Sequence, residues 1–224
     1  MVKRKMKKMI KENPNKTVER QFLWLVGFII LLIITFVFVP ILYHQIFEKF
    51  EYGGVKFEKI KTGKLEFYHG EVTNWITYSD GRNASYNLYF RTDPRKNNIS
   101  LNTNFILSPT VRISLNEGVN LCEDMVLAQS AIGQFISSFP FVKNLSGGVY
   151  NNTIAKELNL THITCKNASA DNTVIIIQKS ESPSIELGDS GNCYVLNIGK
   201  CQYLETVERY IMGAVAQIKG KPLN

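Results

Sequence analysis

The sequence predicts an α+β fold: an N-terminal transmembrane helix, then an outer domain of mostly antiparallel sheet with two packed helices. Three observations lead there. The run Phe22–Tyr43 contains no charged residue. Beyond it, apolar residues recur at every second position through most of the chain, and two later stretches switch to a spacing of three and four. The chain then divides into a basic cytoplasmic arm (1–21), a transmembrane signal anchor (22–43), a juxtamembrane stalk (44–54) and an extracytoplasmic α+β domain (55–224).

The arm accounts for the charge. Of 26 Lys and Arg against 19 Asp and Glu, eight basic residues fall before residue 22 against Glu12 and Glu19, a net of +6. The remainder carries 18 basic and 17 acidic residues, a net of +1. The folded part is electrostatically bland, which argues against a nucleic-acid-binding face.

As a helix, Phe22–Tyr43 is roughly 33 Å long, enough for a hydrocarbon core of about 30 Å. Trp24 and Tyr43 stand near its ends, where aromatic rings favour the headgroup layer. A core helix of this length would carry a polar face. A cleaved signal peptide would have a shorter apolar run ending in a small-x-small site, whereas this one passes into Pro40, Tyr43 and His44. Residues 22–43 therefore take the lipid bilayer as their partner. The +6 arm stays in the cytoplasm by the positive-inside rule, and the rest of the chain lies outside.

Two features of the outer part agree. Cys122, Cys165, Cys193 and Cys201 all follow the span, an even number suited to an oxidising compartment. Acceptors for N-glycosylation cluster there too, at Asn83, Asn98, Asn144, Asn151, Asn159 and Asn167. The pattern is a loose one, since Asn15 heads another on the opposite side.

After the Gly53-Gly54 pair, strands are expected at Val55–Ile60, Lys64–His69, Val72–Tyr78 and Ala84–Arg91, with Ser79-Asp80-Gly81-Arg82 as a hairpin tip. Val111, Ile113 and Leu115 form another alternating run. A helix over about 120–138 presents Leu121, Met125, Ala128, Ile132, Phe135 and Phe139 on one stripe and stops at Pro140. The next twenty polar residues read as an exposed loop with one helical turn near Ile154–Leu158. Strands resume at His162–Lys166, Thr173–Lys179, Ser184–Leu187 and Cys193–Ile198. The last helix, about 202–219, has Leu204, Val207, Ile211, Ala214 and Ile218 on one face, with Glu205 and Glu208 near its start in the sense the helix dipole favours. Leu115-Asn116-Glu117-Gly118 before Cys122 and Leu196-Asn197-Ile198-Gly199 before Cys201 hint at a weak strand–helix duplication.

Four cysteines allow three pairings. An extended Cys193–Ile198 strand would hold Cys193 roughly 16 Å from the strand end beside Cys201, beyond the 7 Å that a disulfide spans. In a four-strand meander Cys165 and Cys193 fall at one end of the sheet, leaving Cys122 with Cys201.

No catalytic set assembles. Gly188-Asp189-Ser190-Gly191 has the local form of a serine protease nucleophile, but Asn192 replaces the next glycine and neither His69 nor His162 lies in a matching context. A turn that uses glycine for positive φ explains it. The histidines are scattered and no Cys-x-x-Cys occurs, so no metal or other cofactor is expected. The polar cluster Arg91-Thr92-Asp93-Pro94-Arg95-Lys96 is the candidate contact for an anion or a partner, with Asp93 ordering Arg91 or Arg95; the plain alternative is a solvated Asp-Pro turn.

Phe90–Arg95, the Cys122-Glu123-Asp124 helix start, and the block from Ile163-Thr164-Cys165 through Asn192-Cys193-Tyr194 to Cys201 and Glu208-Arg209 resemble single-pass, membrane-anchored surface proteins of small-genome archaea, a family with no assigned activity. The resemblance implies an archaeal cell-surface protein and supplies no functional residue. The expected function is therefore a membrane-anchored, extracytoplasmic domain that binds a protein or glycan outside the cell. An accessory subunit of a membrane or cell-envelope complex is the alternative, and an extracytoplasmic hydrolase using Ser190 a second.

Overall fold

The computed structural model describes residues 14–43, 48–77, 83–116, 118 and 122–223. The basic arm up to Glu12, the hairpin tip Ser79–Arg82, Leu121 and His44 lie outside these residues. The chain forms two units, residues 1–48 and 49–224. The first contains helix α1 (Pro14–Tyr43), whose segment Arg20–Leu42 is long and apolar enough to cross a membrane. Pro40 sits in its last turn, where the bond it removes to the residue 36 carbonyl leaves any kink at the helix exit.

The second unit is α+β and has three layers. Strands β1 (Lys49–Tyr52), β2 (Val55–Thr62), β3 (Leu65–Thr77) and β4 (Asn83–Phe90) form a wholly antiparallel sheet in that order. Part of the expected stalk is therefore inside the domain. Gly53 and Gly54 both take positive φ, the requirement of a two-residue hairpin turn, and that turn pairs Lys49–Tyr52 with β2. The two strands expected at 64–69 and 72–78 are one long strand. Its register shifts between Val72 and Ile76, where Asn74 has φ +54, and the irregularity aims Trp75 inward.

A second sheet has the order β5 (Ser100–Asn102), β9 (Ser184–Leu187), β10 (Cys193–Gly199), β8 (Asn172–Ser180), β6 (Thr110–Leu115), β7 (Asn144–Val149). Of its pairings only β9–β10 is antiparallel. The expected meander is thus replaced by a parallel core. The reason is legible in β8, where Thr173–Ile177 is buried without a break; a strand covered on both faces needs no alternation, and such strands are parallel. Ile175 and Ile177 face the helices, while Val174 and Ile176 pack with Ile163 and Cys193 on the other side.

Strand β7 occupies the stretch expected to be an exposed loop. Its sequence Asn-Leu-Ser-Gly-Gly-Val gives little period-two signal. Position 148 requires glycine because a Cβ there would collide with the Thr161 carbonyl and the Ile163 side chain. Conversely, the strand expected at His162–Lys166 is a single bridge from His162 to Val149 followed by a 3-10 turn at Cys165–Asn167.

Helices α2 (Met125–Ser137) and α4 (Tyr203–Ile218) lie between the sheets; α3 (Asn152–Glu157) is a short helix after β7. The expected single stripe on α4 is instead a nearly complete circumference: every residue from Leu204 to Ala216 except Glu205 is buried. Tyr210 meets Tyr194 and Phe105 of the six-stranded side, with ring centroids 5.8 and 4.9 Å apart. Across α2, Trp75 of β3 packs on Phe135 and Phe139 and donates its indole N–H to Ser138 Oγ at 3.0 Å. The two strand–helix units of the apparent duplication, β6–α2 and β10–α4, lie on either side of β8 with both strands parallel to it.

Both disulfides are formed, Cys122–Cys201 and Cys165–Cys193, with Cα separations of 5.2 and 5.3 Å. The first joins the segments that lead into α2 and α4. The second lies on the outer face of the six-stranded sheet.

Candidate functional site

Strand β4 ends at Phe90 and the chain turns at Asp93-Pro94. Buried Asp93 holds the turn by accepting from its own neighbour: Oδ1 takes the Arg95 backbone N–H (3.1 Å) and Nε (3.0 Å), and Oδ2 takes Nη2 (2.7 Å). Burial pushes the Asp93 carboxyl up, but the hydrogen bonds and charge of Arg95 outweigh it and leave the pKa below the ordinary value. The Arg95 guanidinium also stands 3.7 Å from the ring centroid of Phe50 on β1. Arg95 thus serves the turn itself. Arg91 lies over Phe67 at 5.3 Å.

The turn is fastened to α4 by a residue that the sequence pattern had placed at a helix start for its dipole. Glu208 is 3% exposed. Its Oε1 accepts the Arg91 N–H at 2.6 Å, and Oε2 accepts the Thr92 N–H at 3.2 Å and the Thr92 hydroxyl. Desolvation pushes its pKa up to about 7; the bonds from Thr92 and Arg91 oppose this, and the nearby Glu205 charge adds to it. Arg209 donates to the Ile99 carbonyl (3.1 Å) and to Tyr52 Oη (2.7 Å), and Asn97 donates to the Glu205 carbonyl (2.7 Å). The available signal was position: Glu208 falls four residues after Leu204 and three before Ile211, inside the apolar stripe.

These contacts frame a cleft of about 380 Å³ between β3, the 91–99 segment and the start of α4. Arg91 and Lys96 supply cations to its wall; Asn98 and Gln202 supply amides, Tyr68 a ring, and Glu205 a carboxylate. Glu66, also on the wall, is held below its ordinary pKa by hydrogen bonds from Lys59 and Lys61, which lie 2.6 and 3.0 Å away. Of the four residues singled out from sequence, Arg91, Asp93 and Lys96 line this cleft and Arg95 supports it.

Other motifs are accounted for differently. Ser190 is exposed in the turn between β9 and β10 and donates its hydroxyl to the Cys165 carbonyl at 2.9 Å. His69 is paired with Asn87 and stacked on Tyr89. Among the described residues no three His, Cys, Asp or Glu side chains group as metal ligands would. Five acceptor asparagines are exposed: Asn83, Asn98, Asn144, Asn159 and Asn167. Asn151 is half-buried at the start of α3, where its side chain accepts from the Thr153 and Ile154 N–H groups.

No family model matches the chain, and neither does any curated protein or solved structure. Function must be read from the geometry. An apolar N-terminal helix of membrane-crossing length, together with two disulfides, points to a membrane-anchored protein whose folded unit belongs to an oxidising, extracytoplasmic compartment.

Proposed function

We propose that the chain is a single-pass surface protein, N-terminus inside, whose outer domain binds an acidic glycan of the cell envelope in the Arg91–Glu205 cleft. The observation that carries this reading is the lining: Arg91 and Lys96, neither in a salt bridge among the described residues, stand with side-chain amides, the Tyr68 ring and the carboxylates of Glu66, Asp93 and Glu205. Cations recognise uronate, sulfate or phosphate groups, while amides and carboxylates recognise hydroxyls. The wall is preorganised, because Asp93, Arg95, Glu208 and Arg209 hold the 91–99 segment from beneath. The +6 arm supports the orientation. The resemblance to archaeal surface proteins belongs to the same proposal.

The test uses the full chain in detergent micelles and oligosaccharides of a polyuronate, with a neutral glucan of equal length as control. Binding should favour the acidic series, weaken as salt rises, and fall at least tenfold in Arg91→Glu/Lys96→Glu. Equal affinity for both series, or uronate binding that survives the double reversal, would remove the cleft from the proposal.

A further inference from the structure

Among the described residues the two sheets present four edges: β1 and β4 bound the antiparallel sheet, β5 and β7 the mixed one. An open edge is a template for pairing with another chain, and proteins guard it with charge, proline or brevity. Strand β1 carries exposed Lys49 and Glu51, and β5 has three residues. Neither device protects β4 or β7, which run for eight and six residues with no charged side chain and no proline; the end of β7 is covered where Val149 bridges His162, which leaves residues 144–147 as its open part. Each of these two begins on an acceptor asparagine, Asn83-Ala84-Ser85 and Asn144-Leu145-Ser146, and both asparagines are exposed.

A second observation concerns the β7 side. Four exposed apolar residues there adjoin an acceptor: Leu145 follows Asn144, Tyr150 precedes Asn151, and Leu158 and Leu160 flank Asn159; exposed Phe141, before the strand, does not. The remaining acceptors lack such neighbours. Asn98 stands between Asn97 and buried Ile99, and Asn167 between Lys166 and Ala168. Asn151 keeps its role as a helix cap when modified, because the Oδ1 that accepts from Thr153 and Ile154 remains an amide carbonyl oxygen.

We infer that N-linked glycans on Asn83 and Asn144 guard the two charge-free sheet edges, with glycans on Asn151 and Asn159 extending cover over the apolar residues beside β7. The donor is a lipid-linked oligosaccharide. The asparagine Nδ2 bonds to the anomeric carbon as that carbon's bond to the lipid phosphate oxygen breaks. The phosphate leaves with the bonding pair, and one Nδ2 proton passes to a base of the transferase, with no change of oxidation state. A hydrated glycan at the first residue of each edge excludes an approaching strand as a charge would. The inference rests on the extracytoplasmic placement proposed above.

The full chain is translated into endoplasmic-reticulum microsomes, and glycosylated peptides are mapped by mass. Modification of Asn83 and Asn144 is expected, with Asn15 unmodified. Modification of Asn15 would overturn the orientation. Modification confined to Asn98 or Asn167 would leave the orientation standing and overturn this inference, as would modification of no acceptor. Association is then read by light scattering of the detergent-solubilised chain. Asn83→Gln/Asn144→Gln should shift the monomer peak to higher mass, and adding Tyr89→Lys and Leu145→Lys should return it. A double variant that stays monomeric would show that the glycans guard nothing.

Discussion

Glu208 makes the stability of the outer domain depend on pH in a sense opposite to that of an ordinary carboxylate. Its pKa rises from 4.5 to about 7 on folding because burial disfavours the ionised form more than the bonds from Thr92 and Arg91 favour it. Below pH 4.5 the group is protonated in both states and its contribution is fully present. Between 4.5 and 7 the unfolded chain ionises while the folded one holds its proton, so stability falls as pH rises, by roughly 3 kcal/mol across the window. Asp93, with its pKa lowered, acts the other way and in a lower window, losing its contribution only as pH falls below the ordinary carboxylate range. The perturbation is Glu208→Gln, which keeps an acceptor oxygen for the Arg91 N–H and cannot ionise. The assay is urea unfolding of the full chain in detergent at pH 5, 6, 7 and 8. The wild-type chain should lose about 2 to 3 kcal/mol more than the variant between pH 5 and 8. Parallel pH profiles would refute the argument that Glu208 titrates in this range.

Two further substitutions test the frame. Replacing Cys122 and Cys201 together by Ala should cost roughly 4–5 kcal/mol by loop entropy, and replacing Cys165 and Cys193 roughly 3–4 kcal/mol, from sequence separations of 79 and 28. The four-cysteine variant should lose slightly more than the sum of the two measured losses, since each bridge, while intact, shortens the loop that the other closes; urea midpoints that do not move would refute both figures. Gly148→Val should destabilise by about 1–3 kcal/mol through its collision with Thr161 and Ile163, and an unchanged melting temperature would show that the covering segment yields freely.

What was legible in the sequence follows the strength of local pattern. The bounds of α4, β8, β9 and β10 fall within a residue or two of the expected ones because each is a dense apolar run with a punctuating Gly, Pro or Asp. Helix α2 starts at Met125, later than the expected 120, because Cys122 precedes the helix rather than entering it. Strand β7 was illegible: two of its six residues are glycine, and its conformation comes from pairing with β6, a contact outside any local window. Strand direction was illegible for the same reason, although the unbroken apolar run Val174–Ile177 carries a parallel signal. The bridges are Cys165–Cys193 and Cys122–Cys201 as expected, but the sheet that positions them is mostly parallel and contains no four-strand meander. What holds Cys165 beside Cys193 is the 161–170 segment folded over the outer face of β8.

The cleft was half legible, and the division has a physical cause. Its upper wall is a local motif: Asp-Pro with flanking Arg and Lys makes a turn in any context, and the Asp93–Arg95 pair spans two residues. Its lower wall is helix α4, more than a hundred residues away, and the polar groups there look like surface residues until a second sheet closes over them. Burying Glu208 unpaired would cost several kcal/mol, so the 91–92 backbone must reach it whenever the domain folds. That obligation ties the position of Arg91 to the packing of the last helix. A substitution deep in α4, remote from the cleft mouth, is therefore expected to move the cationic wall before it unfolds the domain. Thr92→Val isolates this link, since it removes the hydroxyl bond to Glu208 and leaves both backbone bonds in place. It should raise the pH at which Glu208 titrates and weaken uronate binding at pH 8, where the ionised carboxylate then lacks one of its three donors, more than at pH 5. Equal weakening at both values would uncouple the cleft from Glu208 and leave the buried carboxylate a purely structural group.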